Sequence, residues 1–313
     1  MAAKENLITG KIVMSDYAKN VSVIIINYNT GQLLRDCVDS VFEQMEICLL
    51  EVIVVDNASG DESFLSLPER PGLIKIKNKE NLGFAAANNQ AITQSRGTYL
   101  FFLNPDTKIA NGQILQAVEF LAEKGKRSAL GFQLLDSEGR RLFSCRRLPC
   151  LRDVWARVFF NRENYERRIF SRQIAEQPMG AALLVKKAVI EQIGAFDERF
   201  FLYYEDVDLC RRIKDSGGEI YFYPEIEIIH HGCVSAFYDF PATLEHNYRS
   251  FYQYFRKYYS GRITLILKPL MLLEILKKIV FFSLVASLSP RQRRQNSQRL
   301  KGYRTILAKN IFL

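Results

Sequence analysis

Hydrophobic blocks and helical patterns alternate along the first half of the chain. Residues 21–26 and 51–55 are β-branched runs that each end in a polar loop, which predicts two buried parallel strands. Residues 32–42 between them have apolar side chains at helical spacing. The alternation predicts further elements: a strand at 73–76, a helix at 84–94, a strand at 99–103 and a helix at 114–122. This order is typical of an open α/β sheet, which binds ligands at the carboxyl ends of its strands.

The alternation of strands and helices is interrupted at residues 140–172. This segment is rich in arginine and aromatic residues, which predicts an irregular excursion or short helices over the sheet. The regular pattern then resumes. It predicts a strand at 181–185, helices at 187–193 and 207–215, a strand at 219–223 that runs into Pro224, and a short strand at 226–229. The simplest division is an N-terminal extension (1–19), one domain (20–255) and a tail (256–313).

The tail is apolar from residue 263 to 289 but is interrupted by charged residues. Its longest charge-free stretch, residues 279–290, has 12 residues, whereas a spanning helix needs about 18 or more. A basic run follows at 291–304. This combination favours an interfacial or re-entrant helix pair on an anionic membrane surface. The alternative is a C-terminal helix that packs on the domain or on a second copy, as in a homodimer.

Composition and charge narrow the classes of protein. The chain has 313 residues, of which 48% are hydrophobic and 25% charged, so disordered and fibrous classes are excluded. The net charge of +9 is uneven, because residues 256–313 hold 13 Lys and Arg against one acid. These basic residues lie beside apolar segments, so we expect no nucleic-acid partner.

Cysteine usage and the first residues bear on location. The six cysteines show no CxxC spacing and there are three histidines, which argues against a zinc site of the usual pattern. Residues 1–20 contain no apolar block typical of a signal peptide. We therefore expect a reduced, cytoplasmic protein, peripheral on the inner face of the plasma membrane.

Two carboxylates follow predicted strands. Asp56 offers an acceptor for an imide N–H such as that of uracil, and it suits helix capping equally well. Asp106 follows the strand at 99–103, where it could hold a divalent cation on a pyrophosphate; an Asp after a proline is also a common turn residue.

A second acidic group begins a predicted helix. Glu205, Asp206 and Asp208 follow an aromatic segment, and Asp206 and Asp208 point about 200° apart on a helix. They could stabilise the helix dipole, or one could act as a partly desolvated base toward a sugar hydroxyl. His230 follows a strand, where it could complete a metal site with Asp106 or serve a structural role.

Several enzyme classes lack their sequence signatures here. The chain has no GxGxxG after a strand, no GxxxxGK, no HExxH and no GxSxG. Dinucleotide oxidoreductases, P-loop NTPases, zincins and α/β-hydrolases therefore lose their main support.

Seven fragments of the chain form a recognisable series. They are VSVIIINYNT (21–30), VVDNASGD (54–61), NLGFAAAN (81–88), LFFLNPDT (100–107), GAALLV (180–185), GAFDERFFLYYEDVDLCRR (194–212) and HHGCVS (230–235). In this order they resemble the family 2 glycosyltransferases of the GT-A fold and their rhamnosyltransferase-like branch. The resemblance covers about residues 20 to 238, and the tail lies outside it.

The resemblance implies a role for each matching position. It implies Asp206 as the catalytic base with Glu205 beside it, and Asp106 and His230 as the ligands of Mg²⁺ or Mn²⁺, with His231 as the alternative ligand. Asn104 stands at the first position of the family's DxD motif, which predicts a weaker cation site. It implies nucleotide binding by Asn27, Tyr28, Asn29, Asp56, Asn57, Asn81, Gly83 and Asn88, and a donor-sugar pocket at Asn104 and Gly180.

The implied reaction is an inverting transfer of a hexose, with L-rhamnose as the first candidate. The donor would be dTDP-rhamnose or a UDP-hexose, and the acceptor a lipid-linked or cell-surface saccharide. The alternatives are a catalytically silent scaffold of a polysaccharide assembly complex and a sugar nucleotidyltransferase. The loop at 27–31 lacks the glycine-rich, basic character of the nucleotidyltransferases, and Asp106 and Asp206 argue against the scaffold.

Overall fold

The predicted alternation of strands and helices is present. The computed structural model describes residues 20–44, 49–161, 166–167, 169, 171–232, 240–259, 261–288 and 293–309; the predicted N-terminal extension and Ser235 lie outside these residues. The strands are β1 (Val21–Asn27), β2 (Leu49–Asp56), β3 (Leu73–Lys77), β4 (Tyr99–Leu103), β5 (Thr107–Asn111), β6 (Ser128–Leu135), β7 (Cys145–Arg146), β8 (Glu166–Arg167), β9 (Gln173–Ala175), β10 (Gln177–Pro178), β11 (Ala182–Lys186) and β12 (Glu219–His230). The helices are α1 (Gln32–Gln44), α2 (Phe84–Gln94), α3 (Ile114–Glu123), α4 (Leu151–Phe160), α5 (Lys187–Ile193), α6 (Glu205–Asp215), α7 (Phe240–Tyr258), α8 (Gly261–Leu288) and α9 (Arg293–Lys309).

The main sheet has the strand order β3-β2-β1-β4-β11-β6-β12-β5, and β9 pairs with β12. Strands β1 to β4 pair in parallel, so their carboxyl ends lie along one edge. Strand β11 runs antiparallel to both of its neighbours, β4 and β6. The sheet is therefore mixed, and the strands that precede the polar loops form its parallel part.

Both faces of the sheet are covered, which explains the continuous apolar runs. On β1, Val23 and Ile25 belong to one buried cluster, whereas Ile24 and Ile26 belong to the cluster on the opposite face. Successive side chains of a strand point to opposite faces, so a strand covered on both sides must be apolar throughout.

One predicted boundary is wrong. The hydrophobic pattern separated strands at 219–223 and 226–229, but the structure has a single strand, β12, with Pro224 inside it. The pairing of β12 with β6 shifts register between Tyr223 and Glu227. Proline has no N–H to donate, and strands accept it at such irregularities.

The segment at 140–172 contains the short helix α4 and joins a small sheet of order β10-β7-β8. The sequence predicted an irregular excursion or short helices over the sheet here, and the assignment of the segment as an excursion stays a prediction. Strand β7 pairs antiparallel with β10, so that Arg146 lies opposite Gln177. This pairing brings the segment to the residues just before β11.

The tail forms a helix pair whose inner face packs on the rest of the protein. Leu267 and Ile275 of α8 belong to the same buried cluster as Ile24 of β1. The Glu274 carboxylate, 4% exposed, accepts from Arg157 Nε of α4 at 3.0 Å and from the Tyr248 hydroxyl of α7 at 2.7 Å. In the described part of the chain, no helix combines the length and hydrophobicity needed to cross a bilayer. Membrane contact stays a prediction.

Candidate active site

A cleft of about 780 Å³ opens at the carboxyl edge of β1, β2 and β4. Its walls come from the loops after these strands, the start of α6, the end of β12 and the N-terminal half of α7. Predicted site residues that line it are Tyr28, Asn29, Asn57, Asn81, Gly83, Asn104, Asp106, Gly180, Glu205, Asp206 and His230. Parallel strands place the polar residues at their carboxyl ends along one edge, and this is where the structure gathers them.

Three predicted nucleotide-binding residues lie beneath the cleft wall. Asn27, Asp56 and Asn88 are at most 1% exposed. The Asn27 amide nitrogen donates to Asp56 Oδ1 at 2.8 Å and to the hydroxyls of Ser59 and Ser63. The structure thus uses Asn27 to tie together the loops after β1 and β2, while the imide-binding role of Asp56 stays a prediction.

Asn57 and Asn81 form a polar corner of the cleft. The Asn57 amide nitrogen donates to Asn81 Oδ1 at 2.8 Å, and Asn81 Oδ1 also accepts from the Gly83 backbone N–H at 2.9 Å. Gly83 has φ of +87°, and a Cβ there would lie 2.7 Å from Phe201. Only glycine fits this conformation and this close approach.

Asp106 and His230 converge in the cleft. His230 Nε2 lies 3.4 Å from Asp106 Oδ1, and both side chains are largely buried. The neighbouring His231 ring instead contacts the Ser137 hydroxyl at 3.1 Å. Among the described residues no group of three or more His, Cys, Asp or Glu side chains converges as a metal site. One carboxylate and one imidazole nonetheless suit Mg²⁺ or Mn²⁺ that takes its other ligands from substrate phosphates and water.

Hydrogen bonds hold the Asp206 carboxylate in place, and one of its oxygens accepts from two groups. Asp206 Oδ2 accepts from the Gly180 N–H at 3.0 Å and from the Gln177 amide at 3.2 Å, and Oδ1 accepts from the Val207 N–H at 2.8 Å. Burial raises the pKa of Asp206 above its ordinary value of 3.8, although the N–H donors of Val207 and Gly180 and the charge of Arg146 counteract the rise. A fixed carboxylate with a raised pKa is suited to accept a proton.

The backbone is strained immediately before this carboxylate. Tyr203 and Tyr204 both have φ of +66°, a region that bulky residues rarely adopt. Strain of this kind persists only where the surrounding structure imposes it, and it clusters at active sites. The two residues turn the chain into α6, so that Glu205 and Asp206 begin the helix at the cleft.

The three acidic residues of α6 have different surroundings. Glu205 is 6% exposed, and burial followed by the charge of Asp206 raises its pKa well above 4.5. Asp208 is fully buried on the other side of the helix, where it accepts from Arg212 Nε at 2.8 Å and from the Tyr258 hydroxyl at 2.8 Å. As the helical spacing predicted, Asp206 lines the cleft, whereas Asp208 lies in a buried polar network.

Some residues of the cleft wall were not predicted from the sequence. Arg146 and Gln177 reach it from β7 and β10, and His246 reaches it from α7, where its ring stacks on Phe201 with centroids 4.4 Å apart. The arginine-rich composition of residues 140–172 was the available signal for Arg146. No local sequence pattern marks Gln177 or His246, because only the packing of distant elements brings them to the cleft.

Comparisons with known proteins agree with this geometry. A family model described as Glycosyl transferase family 2 matches residues 22–192. The chain is similar to N-acetylglucosaminyl-diphospho-decaprenol L-rhamnosyltransferase of Mycobacterium tuberculosis, with 26% identity over 264 residues, 76% of this chain and 85% of that protein. Rhamnosyltransferase WbbL of Escherichia coli K12 is 27% identical over 162 residues, 48% of this chain and 61% of its own length.

A solved structure shares the fold. Mannosyltransferase PcManGT from Pyrobaculum calidifontis, solved in complex with GDP-Man and Mn²⁺, superposes with a TM-score of 0.54 at 15% identity. The match covers 93% of this chain and 87% of that one.

Proposed function

The chain belongs to glycosyl transferase family 2 and is a glycosyltransferase of the GT-A fold, and on this premise we propose that it is an inverting hexosyltransferase. We propose dTDP-L-rhamnose as the first candidate donor, followed by UDP-hexoses. The rhamnosyltransferase names of two relatives support this order. The acceptor that we propose is a lipid-linked or cell-surface saccharide.

The observation that carries the mechanism is the fixed Asp206 carboxylate in the cleft. Its raised pKa and its hydrogen bonds to Gly180 and Gln177 suit a base that faces one direction. Asp206 takes the proton of an acceptor hydroxyl as that oxygen attacks the anomeric carbon. The bond from that carbon to the diphosphate breaks, and the nucleoside diphosphate leaves with the electron pair. General-base help of this kind contributes about 10² to 10⁴ in rate.

Asp106 and His230 are the residues that would hold a divalent cation. When bound, Mg²⁺ or Mn²⁺ would offset the negative charge that develops on the departing diphosphate. The 3.4 Å approach of the two side chains supports this assignment. The structure of the mannosyltransferase in complex with Mn²⁺ supports use of a divalent ion within the fold. Asn57 and Asn81, together with Tyr28, form the part of the cleft that we assign to the nucleotide.

The acceptor proposal rests on a relative and on an exposed apolar face. The name of the mycobacterial relative specifies a saccharide on a diphospho-decaprenol. Helices α4 and α8 carry large apolar side chains on their outer surfaces: Trp155, Phe159, Phe160, Leu273, Leu276, Val280, Phe281 and Leu284, each 41–72% exposed. Lys277, exposed, and Lys278 flank them. Apolar side chains bordered by lysines suit an anionic membrane surface, where a lipid-linked acceptor would lie.

An assay of donor turnover tests whether the protein is a transferase and which sugar it transfers. Purified protein with liposomes is supplied with dTDP-rhamnose, UDP-glucose, UDP-galactose, UDP-N-acetylglucosamine or GDP-mannose, with and without Mn²⁺, and release of nucleoside diphosphate is measured. We expect release from one donor, reduced at least 100-fold in Asp206→Asn, which should still bind that donor. Asp215→Asn, on the exposed end of α6, is the matched control. Equal turnover by Asp206→Asn would refute the base.

Vesicle co-sedimentation tests the membrane face separately. We expect binding to vesicles that contain phosphatidylglycerol and weaker binding by Phe281→Ser. Binding that is equal for both proteins would refute the assignment. A concentration-dependent dimer in the absence of vesicles, lost in Phe281→Ser, would assign the face to a second copy of the chain.

A further inference from the structure

One arginine in the cleft, Arg146, lowers the pKa of Asp206 through its charge but forms no ion pair with it. Arg146 lines the cleft, and its Nε is buried without a hydrogen-bond acceptor. Within the described ranges it forms no ion pair, whereas the adjacent Arg147 pairs with Asp153. A buried guanidinium nitrogen with no acceptor destabilises the fold, because desolvation is not offset by a bond. Groups retained at such a cost are typical of binding sites.

Arg157 provides an internal comparison, because it also lines the cleft. Its Nε lies 3.0 Å from both oxygens of Glu274, and its guanidinium stacks over the rings of Tyr248 and Phe251. Its charge is therefore neutralised by the protein itself. Of these two cleft arginines, Arg146 is the one without a carboxylate at ion-pair distance among the described residues, and its N–H groups are open to a ligand although its charge also acts on Asp206.

The position of Arg146 indicates which substrate it meets. Arg146 lies directly opposite Gln177 in the β7–β10 pair, and opposite residues of an antiparallel pair share one face. The Gln177 amide contacts Asp206 Oδ2. The acceptor hydroxyl must reach Asp206, so Arg146 lies beside the path of the acceptor. The residues assigned to the nucleotide instead follow β1 and β2.

We propose that Arg146 binds a phosphate group of the acceptor, so that the acceptor is a phosphate- or diphosphate-linked saccharide. This proposal rests on the glycosyltransferase function and on Asp206 as its base. Arginine binds phosphate oxygens through two parallel N–H donors, a geometry that a neutral saccharide cannot satisfy equally well. Helix α4 continues from the Arg146 strand and carries Trp155 and Phe159 on its exposed surface. A lipid attached to that phosphate could leave the cleft along this helix.

Equilibrium binding tests the proposal without turnover. Farnesyl diphosphate, farnesol and the nucleoside diphosphate released from the accepted donor are titrated into wild type, Arg146→Gln, Arg146→Lys and Arg152→Gln. Arg152 is exposed on α4, outside the cleft lining, and is the matched control. We expect Arg146→Gln to weaken farnesyl diphosphate binding about ten- to a hundredfold, with farnesol and nucleotide binding unchanged. Arg146→Lys should retain part of the affinity.

Two further results separate this role from others. Arg146→Gln should melt at the same temperature as wild type or higher, because the substitution breaks no ion pair. With a saccharide diphosphoryl-undecyl acceptor it should raise KM, whereas with the matched undecyl glycoside KM should be unchanged. Because the charge of Arg146 lowers the pKa of Asp206, the kcat–pH profile should shift with both acceptors. Such a shift with KM unchanged for both acceptors would confine Arg146 to tuning Asp206 and would overturn the proposal.

Other outcomes overturn it as clearly. Unchanged farnesyl diphosphate affinity in Arg146→Gln would refute phosphate binding, and a matching loss of nucleotide affinity would assign the arginine to the donor. If the glycosyltransferase function itself is wrong, these experiments give a different result. In that case wild type would turn over no donor, although farnesyl diphosphate binding could still depend on Arg146.

Discussion

A single methyl group added at Gly180 should disable the base while leaving the fold intact. A Cβ at this position would lie 2.6 Å from Asp206 Cβ and 2.8 Å from Asp206 Oδ2. Carbon atoms in contact prefer about 3.5–4.0 Å, so the Asp206 side chain must move by about 1 Å. The hydrogen bond from the Gly180 N–H to Asp206 Oδ2, 3.0 Å long, would be disturbed by the same movement.

The magnitude follows from the geometry of proton transfer. A misplacement of about 1 Å at a reacting group costs about 100-fold in rate, which corresponds to about 2.7 kcal/mol of barrier. We therefore expect Gly180→Ala to lower kcat by about 100-fold in the donor and acceptor assay. Gly125→Ala is the control, because a Cβ there meets only Ser128 Oγ at 3.8 Å.

A double-mutant cycle decides whether the loss acts through Asp206. In an Asp206→Asn background the base is already absent, so adding Gly180→Ala should cost less than threefold. Melting temperatures of all four proteins are compared to exclude unfolding. A Gly180→Ala enzyme with wild-type kcat would refute the reasoning, and fully additive losses would show that the methyl group acts on the donor pocket instead.

Other expected outcomes concern charge, metal and stability. Protonated Asp206 cannot act as a base, so kcat should fall as the pH decreases. Because the pKa of Asp206 is raised, the kcat–pH profile should show this fall at a higher pH than an ordinary aspartate would give. Glu205 has a raised folded pKa, so its stabilising contribution is complete below pH 4.5 and is lost as pH rises toward the folded pKa. We therefore expect the free energy of unfolding of Glu205→Gln, measured with urea, to rise relative to that of wild type by about 1.4 kcal/mol per pH unit across that window. A difference between the two proteins that does not change with pH would contradict this. EDTA should abolish the Mn²⁺-stimulated part of transfer, and Asp106→Asn should raise the Mn²⁺ concentration for half-activation by about tenfold or more; an unchanged Mn²⁺ titration would remove Asp106 from the metal site. Glu274→Ala should destabilise the protein by about 3–5 kcal/mol because it removes the buried carboxylate that pairs with the Arg157 guanidinium, whereas Glu274→Leu combined with Arg157→Met should recover most of that loss in the same unfolding assay.

Local pattern was sufficient to predict the parallel strands and the polar residues that follow them. A strand buried on both faces must be apolar throughout, so β1, β2 and β4 are visible as continuous runs, and the chain direction fixes which end carries the polar loop. The pattern also predicted that an acidic group begins a helix after an aromatic segment, as α6 does, whereas the role of Asp206 as base comes from the family resemblance and stays a prediction. The single β12 was not predictable, because Pro224 is accepted there only through a register shift against β6.

Which polar side chains reach the cleft was decided by tertiary structure. Asn27 and Asp56 stand beside Tyr28 and Asn57 in the chain, yet the first two are buried in hydrogen bonds beneath the wall, whereas the latter two line the cleft. Sequence position alone does not set this, because the orientation depends on loops that meet from different strands. The α/β fold class was thus indicated by short-range patterns of burial in the sequence. The place of Arg146 beside Gln177, and the docking of α8 through Glu274, needed the folded chain, because contacts between distant segments leave no periodic trace in the sequence.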